Sequence, residues 1–373
     1  MKNDCSKKIF IISIIIVFIL VILLLGKITG LLTLAKPIDN TIKIGFVGPL
    51  TGDYSSLGIG AKNSIILAKN NLNNTNYNYE VIFEDDKVDP TITATVSEKF
   101  KNQDKVDAVI SMFSGPGQIL SNNSANFVHI GLTTDPNVSK GKNNFTNWII
   151  PSKEVKAYLD ELKLRNYNNL CVIIANQAGV KEIYKELERQ LSNYNTKIVC
   201  KYEINSGDKD FRLIITKSKE KNPNVYLLLL LSPELEIFTK QYKELGLSLP
   251  LTAIEAFEFS SQQSLFEGYW YINAKDPIES FSKEYQDNYG TSPPMASSNA
   301  YDSFNLIVYA YEKAGGKYNY KIKPTTKEVS DILENLKNYN GASGDLSALD
   351  DGMITSNAVV KEIRNGKPVT LVR

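Results

Sequence analysis

Residues 106–139 read VDAVISMFSGPGQILSNNSANFVHIGLTTDPNVS and hold two apolar runs, Asp107 to Phe113 and Val128 to Leu132, each breaking off into Ser, Thr or Gly. Apolar runs of this kind mark strands buried on both faces, as in a parallel sheet, and the 14 residues between them suit a crossover helix. In open parallel sheets, ligands bind beyond the carboxyl ends of the strands. Ser114 and Gly115 follow the first run, and Thr133 and Thr134 follow the second. Two neighbouring strand ends thus offer hydroxyls and backbone N–H groups to one crevice, which suits an anion as small as a carboxylate. The same residues also fit a plainer role, with Ser114 as a helix N-cap and Thr133-Thr134-Asp135-Pro136 as turn chemistry.

Working outward, IKIGFVGPLTG (42–52) is an apolar strand that turns at Gly48-Pro49, and Gly58 to Leu72 carries Ile59, Ile65, Ile66 and Leu67 at helical spacing. Strand Tyr79 to Glu84 follows, then a helix capped by Asp89 with Pro90 in its first position. This alternation argues a doubly wound parallel sheet. Past Trp148-Ile149-Ile150-Pro151 the rhythm restarts, with strands at Leu170–Ala175, Lys197–Tyr202, Val225–Leu231 and Leu251–Ala256 interleaved with helices. A second α/β unit reads as a second lobe. Tyr269 to Ala274 is a strand that could carry the chain back, Ala296 to Ala314 is a long helix ended by Gly315-Gly316, and Asn365-Gly366 signals a hairpin. The expected division is 42–148 with 275–350 for lobe 1 and 149–274 with 351–373 for lobe 2.

The 373 residues suffice for two domains, and a net charge of +1 with 22% charged residues gives no footprint for nucleic acid. Three cysteines are too few for a disulfide scaffold. Cys171 and Cys200 fall on consecutive strands of one sheet, the one possible intradomain pair, and read as ordinary buried thiols. The single His129 has no Cys, His or carboxylate cluster around it, which argues against a zinc site or a Ser/His/Asp triad. Asp85-Asp86 reads as a solvated strand end, and GFVGPLTG is not the Gly-rich phosphate fingerprint. No metal, cofactor or enzymatic chemistry is expected.

Lys2, Lys7 and Lys8 precede Ile9 to Leu25, 17 residues broken only by Ser13. As a helix this run is about 26 Å long, near the lower limit for a bilayer. The lysines orient it. The expectation is a cytoplasmic N-terminus (1–8), a transmembrane anchor (9–26), a linker (27–41) and an extracytoplasmic remainder, that is, a single-pass protein of the cell membrane. A cleaved signal peptide ending near Thr33-Leu34-Ala35 is the rival.

Six stretches, IKIGFVGPLTGDYSSLGIGA, VIFEDDKVDPTITA, VDAVISMFSGPG, IGLTTDPNVS, NAYDSFNLIVYAYEKAG and ASGDLSALDDGM before VVKEIRNGKPV, occur in an order that resembles the type I periplasmic binding proteins, in particular the leucine/isoleucine/valine-binding family of ABC transporters. The resemblance covers residues 42 to about 369. It implies two doubly wound α/β lobes with a hinge and central cleft that closes on an amino acid or similar zwitterion, and an ABC permease as partner. It further implies that Ser114 and Gly115 receive the ligand's carboxylate and that Thr133 and Thr134 give backbone and hydroxyl contacts. The resemblance also implies that Glu255 pairs with the ammonium and that Tyr301 lines the cleft. Leu57, Ala178-Gly179 and Leu231-Ser232 stand where the family often carries an aromatic or Tyr-Gly, so the side-chain pocket is reshaped. A ligand sensor on the same fold is the alternative use, and an amidase-type enzyme a more distant one.

Overall fold

A computed structural model describes Asn40 to Val372 together with Ile16, Val17, Ile19 and Val21. Among the described residues no helix is long and apolar enough to cross a membrane. The expected anchor, Ile9 to Leu25, lies outside the described residues except for those four positions, which have helical backbone.

The strands of the first half are Thr41–Gly48 (β1), Asn78–Asp85 (β2), Ala108–Met112 (β3), Val128–Leu132 (β4) and Asn144–Asn147 (β5). Those of the second half are Asn169–Ala175 (β6), Lys197–Ile204 (β7), Val225–Leu229 (β8), Leu251–Ile254 (β9) and Trp270–Ala274 (β10). The tail adds Tyr339–Gly341 (β11), Gly344–Ala348 (β12), Met353–Thr355 (β13), Ala358–Arg364 (β14) and Lys367–Thr370 (β15). They form two sheets, in the orders β11-β12-β13-β5-β4-β3-β1-β2 and β15-β14-β10-β9-β8-β6-β7. Each has a parallel centre, because helices return the chain between strands and cover both faces. Residue by residue β3, β4 and β8 are buried, which is why each reads as a predominantly apolar run, with Ser111 and His129 the polar exceptions.

In the first lobe, helices Ser55–Asn70 and Ser297–Gly316 cover one face of the sheet, while Val47, Phe100, Val109, Leu120 and Phe127 fill the other side. The helix after β1 packs hard on the turn it leaves: a Cβ at Gly58 would lie 1.9 Å from the Pro49 carbonyl oxygen. Asp89 caps the helix Pro90–Lys99 as expected, accepting from the N–H groups of Thr91 and Ile92 at 2.7 and 3.1 Å. The β14–β15 hairpin turns at Asn365 and Gly366, both at positive φ.

Three features differ from the sequence reading. Cys171 and Cys200 face each other across β6 and β7 and are joined in a disulfide, with Cα atoms 4.6 Å apart. Asp86 is not solvated: it is buried, accepting from the Val88 N–H and the Thr93 hydroxyl, and burial raises its pKa. The last crossing also falls later than residue 350, because β13 pairs with β5 in the first sheet and only β14 returns to the second.

Candidate functional site

The carboxyl ends of both sheets open onto one cavity of about 330 Å3, within the size range of small-molecule sites. On the first lobe, β3 ends at Met112 and Phe113 turns the chain at φ 67° into the helix Ser114–Asn123. The Phe113 N–H donates to the Leu132 carbonyl at 3.3 Å, so the ends of β3 and β4 stay side by side. Ser114 and Thr133 consequently share a hydroxyl–hydroxyl hydrogen bond of 2.8 Å on the cavity wall. First-turn N–H groups have no acceptor within their own helix, so those of Ser114 and Gly115 are donors available to the cleft. A Cβ at Gly115 would meet nothing within 4 Å, so a side chain there would stand in open space. Thr134 also lines the cavity, but its hydroxyl donates to the Ile149 carbonyl at 2.8 Å and lies 3.2 Å from Glu154 Oε2.

On the second lobe, β9 ends at Ile254 and Glu255 turns at φ 61°, its N–H donating to the Ile272 carbonyl at 2.7 Å. The Trp148 indole N–H, from the segment that crosses between lobes, donates to Glu255 Oε1. Glu154, in the first turn of helix Pro151–Leu164, is fully buried beside this carboxyl. Burial first, and the Glu255 charge second, hold its pKa well above the ordinary carboxylate range. Burial raises the pKa of Glu255 too, while the Trp148 N–H acts the other way.

Between the two ends the wall is apolar, with Tyr54, Leu57, Phe113, Leu230, Leu231 and Phe259 among its residues. No lysine, arginine or histidine lines it among the described residues. Four lining residues, Val88, Phe113, Glu255 and Ala296, are non-glycines at positive φ. Such backbone costs of order 1–3 kcal/mol per residue and concentrates where function needs a fixed geometry. The lobes are closed on each other: the Tyr54 hydroxyl donates to the Ser232 carbonyl at 2.9 Å, and a Cβ at Gly179 would come 2.7 Å from Ser114 Oγ.

Five of the six expected site residues, Ser114, Gly115, Thr133, Thr134 and Glu255, therefore line one cavity. Tyr301 does not. It sits one turn inside the helix Ser297–Gly316, its ring against Phe281 at 5.1 Å and its hydroxyl 3.4 Å from Asn71 Nδ2. Only the residues just ahead of that helix, Met295 and Ala296, reach the cleft.

A sequence model of the periplasmic binding proteins matches residues 41–368. The chain belongs to this family. The leucine-, isoleucine-, valine-, threonine- and alanine-binding protein of Pseudomonas aeruginosa is 21% identical over 306 residues, 74% of this chain and 79% of its own. Among solved structures, a leucine-binding protein of Thermotoga maritima superposes with a TM-score of 0.78 at 20% identity, covering 89% of this chain and 98% of its own. An ABC-transporter solute-binding protein of R. palustris in complex with benzoate gives 0.77 at 15%, covering 89% and 95%. At these identities the structures share the fold with this periplasmic binding protein.

The sequence reading missed Glu154 and Trp148. One signal was there: Glu154 opens the stripe Val155, Tyr158, Leu159, Leu162, all buried, and a carboxylate on an apolar stripe is out of place. Trp148 carries no such mark, since a tryptophan in an apolar run reads as core.

Proposed function

We propose that this periplasmic binding protein is the extracytoplasmic solute receptor of an ABC importer and that it takes an amino acid or similar zwitterion between its lobes, with the run Ile9 to Leu25 as its tether. The observation that carries this reading is the polarity of the cavity, with N–H groups and hydroxyls at one end and Glu255 at the other. A zwitterion leaving water needs a partner for each charge, because an unpaired buried charge costs several kcal/mol or more. In this reading Ser114, Gly115 and Thr133 take the carboxylate, Glu255 takes the ammonium, and Thr134 fixes the crossing segment behind them. Closure then depends on the solute that bridges the lobes. The disulfide supports an oxidising, extracytoplasmic setting.

The aromatic lining invites a second reading, an aromatic acid of the benzoate class, which would satisfy the donor end alone. It leaves the buried carboxyl of Glu255 with no cation to meet. A thermal-shift panel of L-leucine, L-isoleucine, L-valine, L-threonine, L-alanine and benzoate separates the two, because a ligand that binds only the folded state raises its stability by RT ln(1 + [L]/Kd). Stabilisation by at least one amino acid is expected. Stabilisation by benzoate alone would replace the zwitterion with the aromatic acid.

A further inference from the structure

Glu255 lines the acid end of the cleft, and a second carboxyl, that of Glu154, lies buried behind it without lining the cavity itself. Glu154 and Glu255 are both buried and within hydrogen-bonding reach of each other, yet two carboxylates are both acceptors. Their other partners are fixed. Trp148 donates to Glu255, Thr134 lies 3.2 Å from Glu154 Oε2, and Glu154 Oε1 is buried with no hydrogen-bond partner. A proton on one of them turns this contact into a hydrogen bond, since like charges this close in an apolar site do not both ionise. Glu154 is the one to carry it, because the Trp148 N–H already favours the ionised form of Glu255.

Among the described residues no cationic side chain pairs with either carboxyl. Lys153, on the same helix, turns away and donates to the Ser356 carbonyl at 2.7 Å. From the second sheet, Lys361 is occupied by Glu258 at 2.9 Å and Asp276 at 2.8 Å, and the Tyr271 hydroxyl also donates to Glu258. Glu258 adds a further negative charge near Glu255. Tyr158, one turn along from Glu154, shares its hydroxyl with Thr252 at 2.8 Å.

We propose that Glu154, buried behind Glu255, sets the specificity of the cleft: before solute enters it carries a proton donated to Glu255, and when an ammonium-bearing solute reaches Glu255 it releases that proton to solvent, so that a second carboxylate backs the one that meets the cation. This rests on the zwitterion reading above. It makes solute capture a proton-releasing event, and it disfavours solutes without a cationic group, which would leave the acid pair as it stands.

Two measurements on the full chain test it. Carbon-13 NMR of labelled glutamate carboxyls, without added solute near neutral pH, should show a protonated carboxyl that disappears in Glu154→Gln. If every glutamate carboxyl titrates in the ordinary range, the proposal is overturned whatever the protein binds. Calorimetry with L-leucine as the probe, in phosphate and in Tris, should give different heats for the wild type, reporting proton release, and equal heats for Glu154→Gln. Equal heats for the wild type would overturn the coupling while leaving the zwitterion reading in place. A protonated carboxyl without heat from leucine or any other amino acid would instead refute the zwitterion reading, and this proposal with it.

Discussion

The two ends of the cleft are built from the same part of the same fold, the carboxyl ends of parallel strands, and differ in charge. The β3 and β4 ends present hydroxyls, amides and, one layer below, a buried histidine that bonds Ser111 at 2.8 Å. The β9 end presents a carboxyl and, across the crossing segment, a second one. One end therefore stabilises charge by dipoles and the other by charge itself. Dipolar contacts divide their effect over several donors and tolerate the loss of one, whereas a counter-charge in direct reach of the solute does not.

That contrast can be broken in order of expected effect. Glu255→Ala removes the one carboxyl among the described residues that lines the cavity, leaving the ammonium only the buried Glu154 behind it, and should cost roughly 3–5 kcal/mol of amino-acid affinity by calorimetry. An unchanged dissociation constant would shift the ammonium site elsewhere.

The second prediction concerns the neutral end. Burial lowers the His129 pKa from 6.5 to about 4. As pH falls between these values the unfolded chain takes up a proton that the folded one refuses, so stability drops, by about 3 kcal/mol at full extent. Asp302 works in the opposite sense, since burial raises its pKa to about 6 and the folded state binds the proton first. Denaturation of wild type and His129→Gln across this range isolates the histidine: the variant should lose less stability on acidification, and parallel curves would mean that the imidazole is not held neutral.

Gly179→Leu comes third. A side chain pressing on Ser114 should hold the lobes apart and weaken amino-acid binding about tenfold, some 1.4 kcal/mol. Small-angle scattering should show a more open particle; a particle of wild-type dimensions would mean that the lobes close by another path. Smallest is Ser114→Ala, which deletes one neutral hydroxyl and leaves the N–H donors, for a loss of about 0.5–1.5 kcal/mol. A loss as large as that from Glu255→Ala would erase the distinction between the two ends.

What the sequence made legible follows from burial. β3, β4, β6 and β8 are buried and predominantly apolar, interrupted only by residues such as Ser111, His129 and Asn169, and these runs locate them and the residues just past their ends. β5, Asn144–Asn147, is buried but reads NFTN, and its side-chain N–H groups find acceptors that only the fold supplies, such as Asn147 Nδ2 to the Asn299 carbonyl at 3.0 Å. The strands β11 and β13 have three residues each, too few for a period to register. Tyr301 failed for a related reason: only the residues just ahead of its helix, Met295 and Ala296, reach the cleft, so a residue inside the helix points elsewhere. The partnership of Glu154 with Glu255, 101 positions apart in the chain, depends on the crossing of the lobes and leaves only the out-of-place carboxylate as its trace.

The Cys171–Cys200 bridge has a practical bearing. β7 is the outermost strand of its sheet, paired through hydrogen bonds with β6 alone, and the sulfur link ties it to that neighbour. Made where thiols stay reduced, the same polypeptide would keep this border by backbone pairing only, and a border strand that peels exposes a template for other molecules to add to. The yield of soluble material should thus follow the compartment chosen for production, with the oxidising side of the membrane giving dispersed protein and the reducing side giving aggregates.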